Sequence, residues 1–154
     1  MTRPCTIRPL KKEDCAEVIE MMRAFYASPA LLSNGSTEIF QRDLASCLEE
    51  KSGLDGFVFE DGSELVGYAM VAHSYSTEYG GPCLWIEDLY VKPHRRGAGL
   101  GSEFLRRVED FYPEAVIFRL EMEADNRAVH AYTRCGYKVL PYVQMKKHPG
   151  PKKP

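Results

Sequence analysis

Between Val91 and Ser102 the chain reads Val-Lys-Pro-His-Arg-Arg-Gly-Ala-Gly-Leu-Gly-Ser, an arginine pair followed by glycines at alternate positions. Such a turn suits an anion. Gly97, Gly99 and Gly101 lack the Cβ atoms that would keep a ligand from the backbone, and a helix beginning after them offers unpaired N–H groups with a favourable dipole. Arg95 and Arg96 add charge beside those groups, so a pyrophosphate is the natural guest. Spacing arbitrates among nucleotide motifs. A P-loop needs a lysine after its glycines, and a Rossmann fingerprint needs glycine where Ser102 stands, although Glu121 lies where a ribose-binding acid could sit. The turn does match R-x-x-G-x-G, as Arg96, Gly99 and Gly101.

Other polar residues fall where chemistry is conceivable. Glu87 and Asp88 interrupt the apolar run Leu84 to Val91. Side chains alternate along a strand, which sends the two carboxylates to opposite faces, and a carboxylate in a buried strand is costly unless paired or employed. Tyr132 recurs with Ala128, Val129 and Cys135 at helical spacing, which suits a packing residue. Cys135 near His130 would suggest a covalent acyl-cysteine, but both fall on one short helix with no third group to orient them. His73, flanked by strand residues, is a further candidate base, with a satisfied or exposed histidine the competing reading.

The elements that must position these residues are readable from periodicity. Cys5 to Arg8 is a short strand; a helix capped by Asp14, with Glu17 at N3, carries Val18, Ile19, Met22, Phe25 and Tyr26 on its apolar face. Ser36 or Thr37 caps a second helix with Phe40, Leu44, Cys47 and Leu48 inward. Phe57 to Glu60 and Leu65 to Val71 flank Asp61-Gly62, a hairpin signal, and Leu84 to Val91 follows as a strand. Leu100, Phe104, Leu105, Val108 and Phe111 mark the helix after the glycines, and Pro113 closes it. Val116 to Met122 is a strand, Asn126 to Cys135 a helix with Gly136 at C′, and Tyr137 to Leu140 and Tyr142 to Lys146 are two last strands around Pro141. The order βααβββαβαββ predicts a single-domain α/β (α+β) fold, a mixed sheet with helices on both faces. His148 to Pro154, which holds three prolines, is expected to be a frayed tail.

Composition narrows the partners. At 154 residues the chain is near the modal domain size. A formal charge of −2 argues against a phosphate-backbone binder and hence against nucleic acid. No apolar run approaches the roughly 20 residues that span a bilayer, and the first residues lack a signal peptide's apolar core, so no membrane partner and a cytoplasmic location are expected. Five cysteines without C-x-x-C or paired Cys/His spacing fit reduced thiols and no metal site.

The segment IEDLYVKPHRRGAGLGSEFL, Ile86 to Leu105, resembles the acetyl coenzyme A loop of the GNAT superfamily of N-acetyltransferases, and ADNRAVHAYTRCGYKV, Ala124 to Val139, resembles its second signature. The Glu-Asp-aromatic run before the glycines is most similar to the diamine (spermidine/spermine-type) acetyltransferases. The resemblance implies a GNAT domain over residues 1–148, with 149–154 outside it, a homodimer, and acetyl coenzyme A as cosubstrate. It implies that Leu89, Tyr90, Val91, Arg95, Arg96, Gly97, Ala98, Gly99, Leu100, Gly101, Ser102 and Asn126 hold the coenzyme, Asn126 being otherwise only a helix cap. Free N–H groups near Leu89 and Val91, on a strand splayed from its neighbour, would hold the pantetheine arm. Glu87 takes the position of the base that accepts the amine proton, with Asp88 the competing candidate, and Tyr132 that of the donor to the departing thiolate. The polyamine enzymes present acids around the first two helices, whereas Met21 to Thr37 here contains no Asp or Glu. Phe25, Tyr26, Tyr75 and Trp85 would instead line an amphipathic or cation–π slot for a small-molecule amine. Transfer to a protein or peptide amine, and a non-catalytic acetyl coenzyme A-binding domain, are the alternatives.

Overall fold

In the computed structural model, which describes residues 5–123 and 126–153, the Asp61-Gly62 signal closes a hairpin with Gly62 at φ 63°. Its arms are β2 (Leu54–Asp61) and β3 (Glu64–Ser76), after β1 (Thr6–Pro9), α1 (Cys15–Tyr26) and α2 (Thr37–Leu48). Then come β4 (Gly81–Val91), α3 (Leu100–Phe111), β5 (Ile117–Leu120) and α4 (Val129–Arg134). The strands form one mixed sheet in chain order, antiparallel except where β4 and β5 run parallel. Parallel pairing demands a crossover, and α3 supplies it.

Alternation along the central strands divides the core in two. Phe57, Phe59, Val66, Ala69, Val71, Leu84 and Ile86 face α3, whose Phe104, Leu105 and Val108 are buried against them. Val58, Tyr68, Met70 and Tyr90 face α1 and α2, which contribute Val18, Met21, Met22, Phe40 and Leu44. Removing a side chain such as fully buried Phe104 would cost about 3–5 kcal/mol. The mixed single-domain α/β fold, with helices on both faces, is the one expected.

Three local expectations are met differently. Ser36 caps α2, its Oγ accepting from Ile39 N at 3.2 Å. Asp14 does not cap α1. Its carboxylate accepts from Lys11 N at 2.8 Å and takes Arg8 Nη1 at 2.8 Å, and the Arg8 hydrogen bonds hold it below the usual carboxylate range. The expected last strands Tyr137–Leu140 and Tyr142–Lys146 form no ladder among the described residues. Val139, Val143 and Met145 are solvent-exposed there, and Pro141 both lacks a ladder donor and restricts Leu140.

One irregularity in β4, a β-bulge, fixes where its acidic residues point. Met70 pairs with Asp88 and Val71 with Ile86, which leaves Glu87 without a partner on β3. The extra residue breaks the simple alternation that would put Glu87 and Asp88 on opposite faces.

Candidate functional site

The sheet opens where β4 outruns β5. Pairing between them covers Cys83–Ile86 against Ile117–Leu120 and ends there, while β4 continues to Val91. Lys92 N donates to Val66 O at 2.8 Å across β3. Antiparallel alternation therefore turns the N–H groups of Leu89 and Val91 away from β3, toward the side β5 has left. On that side the Val91 carbonyl accepts from Arg96 Nε at 2.8 Å.

Beyond β4 the chain makes a 3₁₀ turn at Pro93–Arg95 and enters the glycine loop. Gly97 and Gly99 both sit at φ 81°, the left-handed region that β-carbon-bearing residues avoid, and a Cβ at either would meet nothing. Backbone conformation, not crowding in the protein, is what requires glycine at these positions. Gly99 is the N-cap of α3 with no side chain capping it, and the helix's ladder starts with Glu103 N donating to Gly99 O at 2.9 Å. The N–H groups of Leu100, Gly101 and Ser102 precede that ladder and are left for an anion. Ala98 lies between the left-handed glycines.

The arginines are not equivalent. Arg95 is engaged by Asp61 at the hairpin, which binds its charge to β2. Arg96 lies 5.5 Å from the Tyr90 ring centroid while holding the Val91 carbonyl, so it borders the opened strand. Lys92 with Glu17 and His94 with Glu64, both at 3.0 Å, fasten the loop to α1 and to the hairpin. Such exposed pairs contribute little stability each, and their effect here is positional.

The bulge separates the two carboxylates by environment. Glu87 is exposed, and partial desolvation together with the neighbouring Glu121 carboxylate pushes its pKa above the usual range. Asp88 is 3 % exposed and bonded by Tyr68 Oη at 2.8 Å and Tyr26 Oη at 3.1 Å. Burial raises its pKa to about 6, against the tyrosine hydrogen bonds, which lower it. Phe25 packs on Tyr26, Tyr68 and Tyr90 with centroids 5.6, 6.3 and 5.9 Å away, so Phe25 and Tyr26 join the Asp88 cluster.

Trp85 pairs with Arg119 of β5, and the guanidinium carbon stands 5.7 Å from the Trp85 ring centroid. Tyr75, 64 % exposed near the start of the β3–β4 connection, is not drawn into the aromatic cluster. His73 is paired elsewhere, its Nε2 2.7 Å from Asp55, whose same oxygen accepts from Tyr112 at 2.6 Å. Sequence reading missed Tyr68 and Arg119. Tyr68 carried no signal apart from its phenol in a buried strand, whereas a charged residue inside the apolar run Ile117 to Leu120 was a visible anomaly.

At α4, Gly136 takes φ 93°, with Gly136 N donating to Thr133 O and Tyr137 N to Tyr132 O. This is a Schellman stop, and its accompanying contact is the Tyr132–Tyr137 ring pair at 6.3 Å. Tyr132 also packs on the α3-side core, where burial raises its pKa. Asn126 Oδ1 accepts from Ala128 N at 2.8 Å, an Asx turn just ahead of α4, whose N-cap is Ala128. Cys135 Sγ approaches Ser102 O at 3.7 Å, so its thiol faces α3 rather than His130. Among the described residues no group of three or more His, Cys, Asp or Glu could hold a metal. None of the described helices is long and apolar enough to cross a membrane.

Residues 17–137 match the model of the Acetyltransferase (GNAT) family. The chain is 29 % identical to thialysine N-epsilon-acetyltransferase of Sus scrofa, over 87 % of this chain and 84 % of that protein. Streptothricin acetyltransferase of Streptomyces lavendulae is 36 % identical over 48 % of this chain and 39 % of its own length. In three dimensions the chain superposes on a possible acetyltransferase from Clostridium difficile 630 with a TM-score of 0.81 at 15 % identity, covering 95 % of this chain and 98 % of the other, a likeness of fold.

Proposed function

Because the chain belongs to the GNAT family of acetyltransferases, we propose that it moves an acetyl group from acetyl coenzyme A to the primary amine of a small molecule, by direct attack in a ternary complex. The family uses acetyl coenzyme A as its cosubstrate, and the chain is an N-acetyltransferase. The acceptor class is supported by the relative named for acetylating the Nε of thialysine.

The residues fit such a coenzyme. Free N–H groups at the start of α3, the left-handed turns at Gly97 and Gly99 and the Arg96 guanidinium would hold its phosphates. The unpaired β4 edge at Leu89 and Val91 offers backbone donors to the pantetheine arm and to a thioester carbonyl, where fixed donors are often a large catalytic term. When bound, the coenzyme supplies an activated acetyl group. The chain must then manage protons: one must leave the ammonium before its nitrogen can attack, and one must reach the departing thiolate. Glu87, solvent-accessible and beside the fork with its pKa raised, takes the first role; Tyr132 takes the second.

The observation that carries this reading is the fork between β4 and β5, with a carboxylate at its apex and a glycine-rich helix start at its mouth. The test is release of free coenzyme A thiol from acetyl coenzyme A across a panel of small amines and lysine-containing peptides. Turnover with small amines and intersecting initial-rate lines are expected. Turnover of peptides alone would move the acceptor class, and binding of the coenzyme without turnover of any amine would make the chain a regulatory binder.

A further inference from the structure

Arg119 is the charged residue in the apolar run of β5, and its surroundings leave part of it unused. Its Nε is buried without a hydrogen-bond partner, and among the described residues its guanidinium makes no ion pair within 4.0 Å. An atom that water cannot touch is closed to a ligand as well, so it is the terminal Nη groups, accessible and without a hydrogen bond among the described residues, that are left to bind one. The residue lines a cleft of about 1010 Å³ that also takes in Trp85, Glu121, Tyr132 and Tyr142.

The face on which it lies can be traced through the register. Met70 belongs to the core under α1 and α2; Ala72 lies on the same face of β3 and pairs with Trp85, which pairs with Arg119. Arg119, Trp85 and Glu121 therefore share the α1/α2 face of the sheet. Those helices pack over β2 and β3. The Glu121 carboxylate acts electrostatically on Glu87. Arg119 pairs with Trp85, two residues from Glu87 on β4, so a cation beside an indole stands roughly 8 Å, backbone to backbone, from the carboxylate assigned to the reacting amine.

We propose that Arg119 is a specificity residue that binds a carboxylate of the acceptor, so that the substrate is an amino acid whose reacting amine lies at the far end of a short aliphatic chain. The inference rests on the small-amine reading of the site. A guanidinium presents a planar fork of donors that matches a carboxylate, and here it lies over the Trp85 ring. Glu87 and Glu121 receive the ammonium at the other end. An α-amine lies too close to its own carboxylate to reach Glu87 while the carboxylate rests on Arg119, so the distal nitrogen is the one acetylated.

The test compares amino acids with their decarboxylated counterparts, ornithine with 1,4-diaminobutane and lysine with 1,5-diaminopentane, for wild type, Arg119→Gln and Arg119→Lys. Wild type should prefer the amino acid in at least one pair by about 10- to 100-fold in kcat/KM, as expected for a hydrogen-bonded charge. Mass spectrometry should place the acetyl group on the distal nitrogen. Arg119→Gln should lose that preference through KM, leave the diamine unchanged and keep acetyl coenzyme A affinity, with Arg119→Lys intermediate. Equal use of both members in both pairs by wild type, or an equal loss for both in Arg119→Gln, overturns the proposal. Calorimetry of each amino acid against protein saturated with coenzyme A decides independently of turnover. If no amine is acetylated, the catalytic reading fails, while amino-acid binding lost in Arg119→Gln still supports the anchor and its absence in wild type overturns it.

Discussion

Tyr68 donates a 2.8 Å hydrogen bond to Oδ2 of Asp88, its diagonal neighbour across the β3–β4 ladder, in a position that water hardly reaches. Tyr26 donates to the other oxygen from α1, so the carboxylate ties a helix to the sheet beside the bulge.

Stability should carry the signature of that burial. Asp88 has an ordinary pKa of 3.8 and a folded value of about 6. Between these values the folded state keeps a proton that the unfolded state has released, so this group's contribution falls as pH rises from about 4 to 6 and stays low above. The full difference is about 3 kcal/mol. Asp88→Asn, which resembles the protonated acid, should flatten the curve, and its melting temperature relative to wild type should climb from pH 4 to 7. Parallel Tm curves for the two proteins would show that Asp88 titrates normally.

Substitutions in the glycine loop should separate backbone strain from ligand approach. At Gly99, φ 81° makes valine strained whatever the space, so Gly99→Val should lower Tm as well as abolish coenzyme binding. Gly101 is outside the left-handed region, and an added Cβ would stand 3.9 Å from Leu89 Cδ2, an ordinary contact. Gly101→Ala should therefore melt like wild type yet weaken coenzyme A, because the methyl group intrudes beside the first amides of α3. Undiminished affinity by calorimetry in both variants would take this loop out of the site.

The range of each interaction decides whether the sequence made it legible. The glycine turn, the Asp61-Gly62 hairpin and the Ser36 cap are local, each readable within a few residues. The bulge at Glu87 is a mismatch between β3 and β4, and β4's own pattern of side chains bears no trace of it. The Asp88 cluster joins residues 20 and 62 positions apart, beyond any spacing rule. Residues 137–146 do carry a strand's composition, but a ladder needs a partner edge as well as a pattern, and Pro141 interrupts the run.

Tyr132 offers a cleaner division between packing and chemistry. Its ring closes the Schellman stop against Tyr137, and no partner for its hydroxyl is seen among the described residues. Tyr132→Phe keeps the ring, so Tm should change little. Burial has made the phenol a weaker acid than usual, and a thiol near pKa 8.5 leaves without much help, so kcat should fall by roughly 10-fold or less. The measurement is kcat with saturating acetyl coenzyme A alongside melting. An unchanged kcat would make Tyr132 a packing residue alone.

The base is the sharpest question the bulge poses. Glu87 and Asp88 are consecutive, yet Glu87 is exposed at the fork while Asp88 is buried among tyrosines. Glu87→Gln preserves shape but cannot take a proton, so kcat/KM near neutrality should drop by roughly 10²- to 10⁴-fold with little change in acetyl coenzyme A affinity. Glu87's raised pKa sets the wild-type profile: protonation disables the base as pH falls, and activity should decline on the acid side from a point above the usual glutamate range. In Glu87→Gln that limb should vanish, and the deficit should shrink toward pH 10, where free amine is abundant and a base is needed less. Asp88→Asn should leave the acid limb in place and act chiefly on stability. Rate profiles of both variants from pH 5 to 10 decide the matter. A pH-rescued defect in Asp88→Asn but not in Glu87→Gln would reverse the two assignments, with the buried carboxylate reached by the amine through Tyr26.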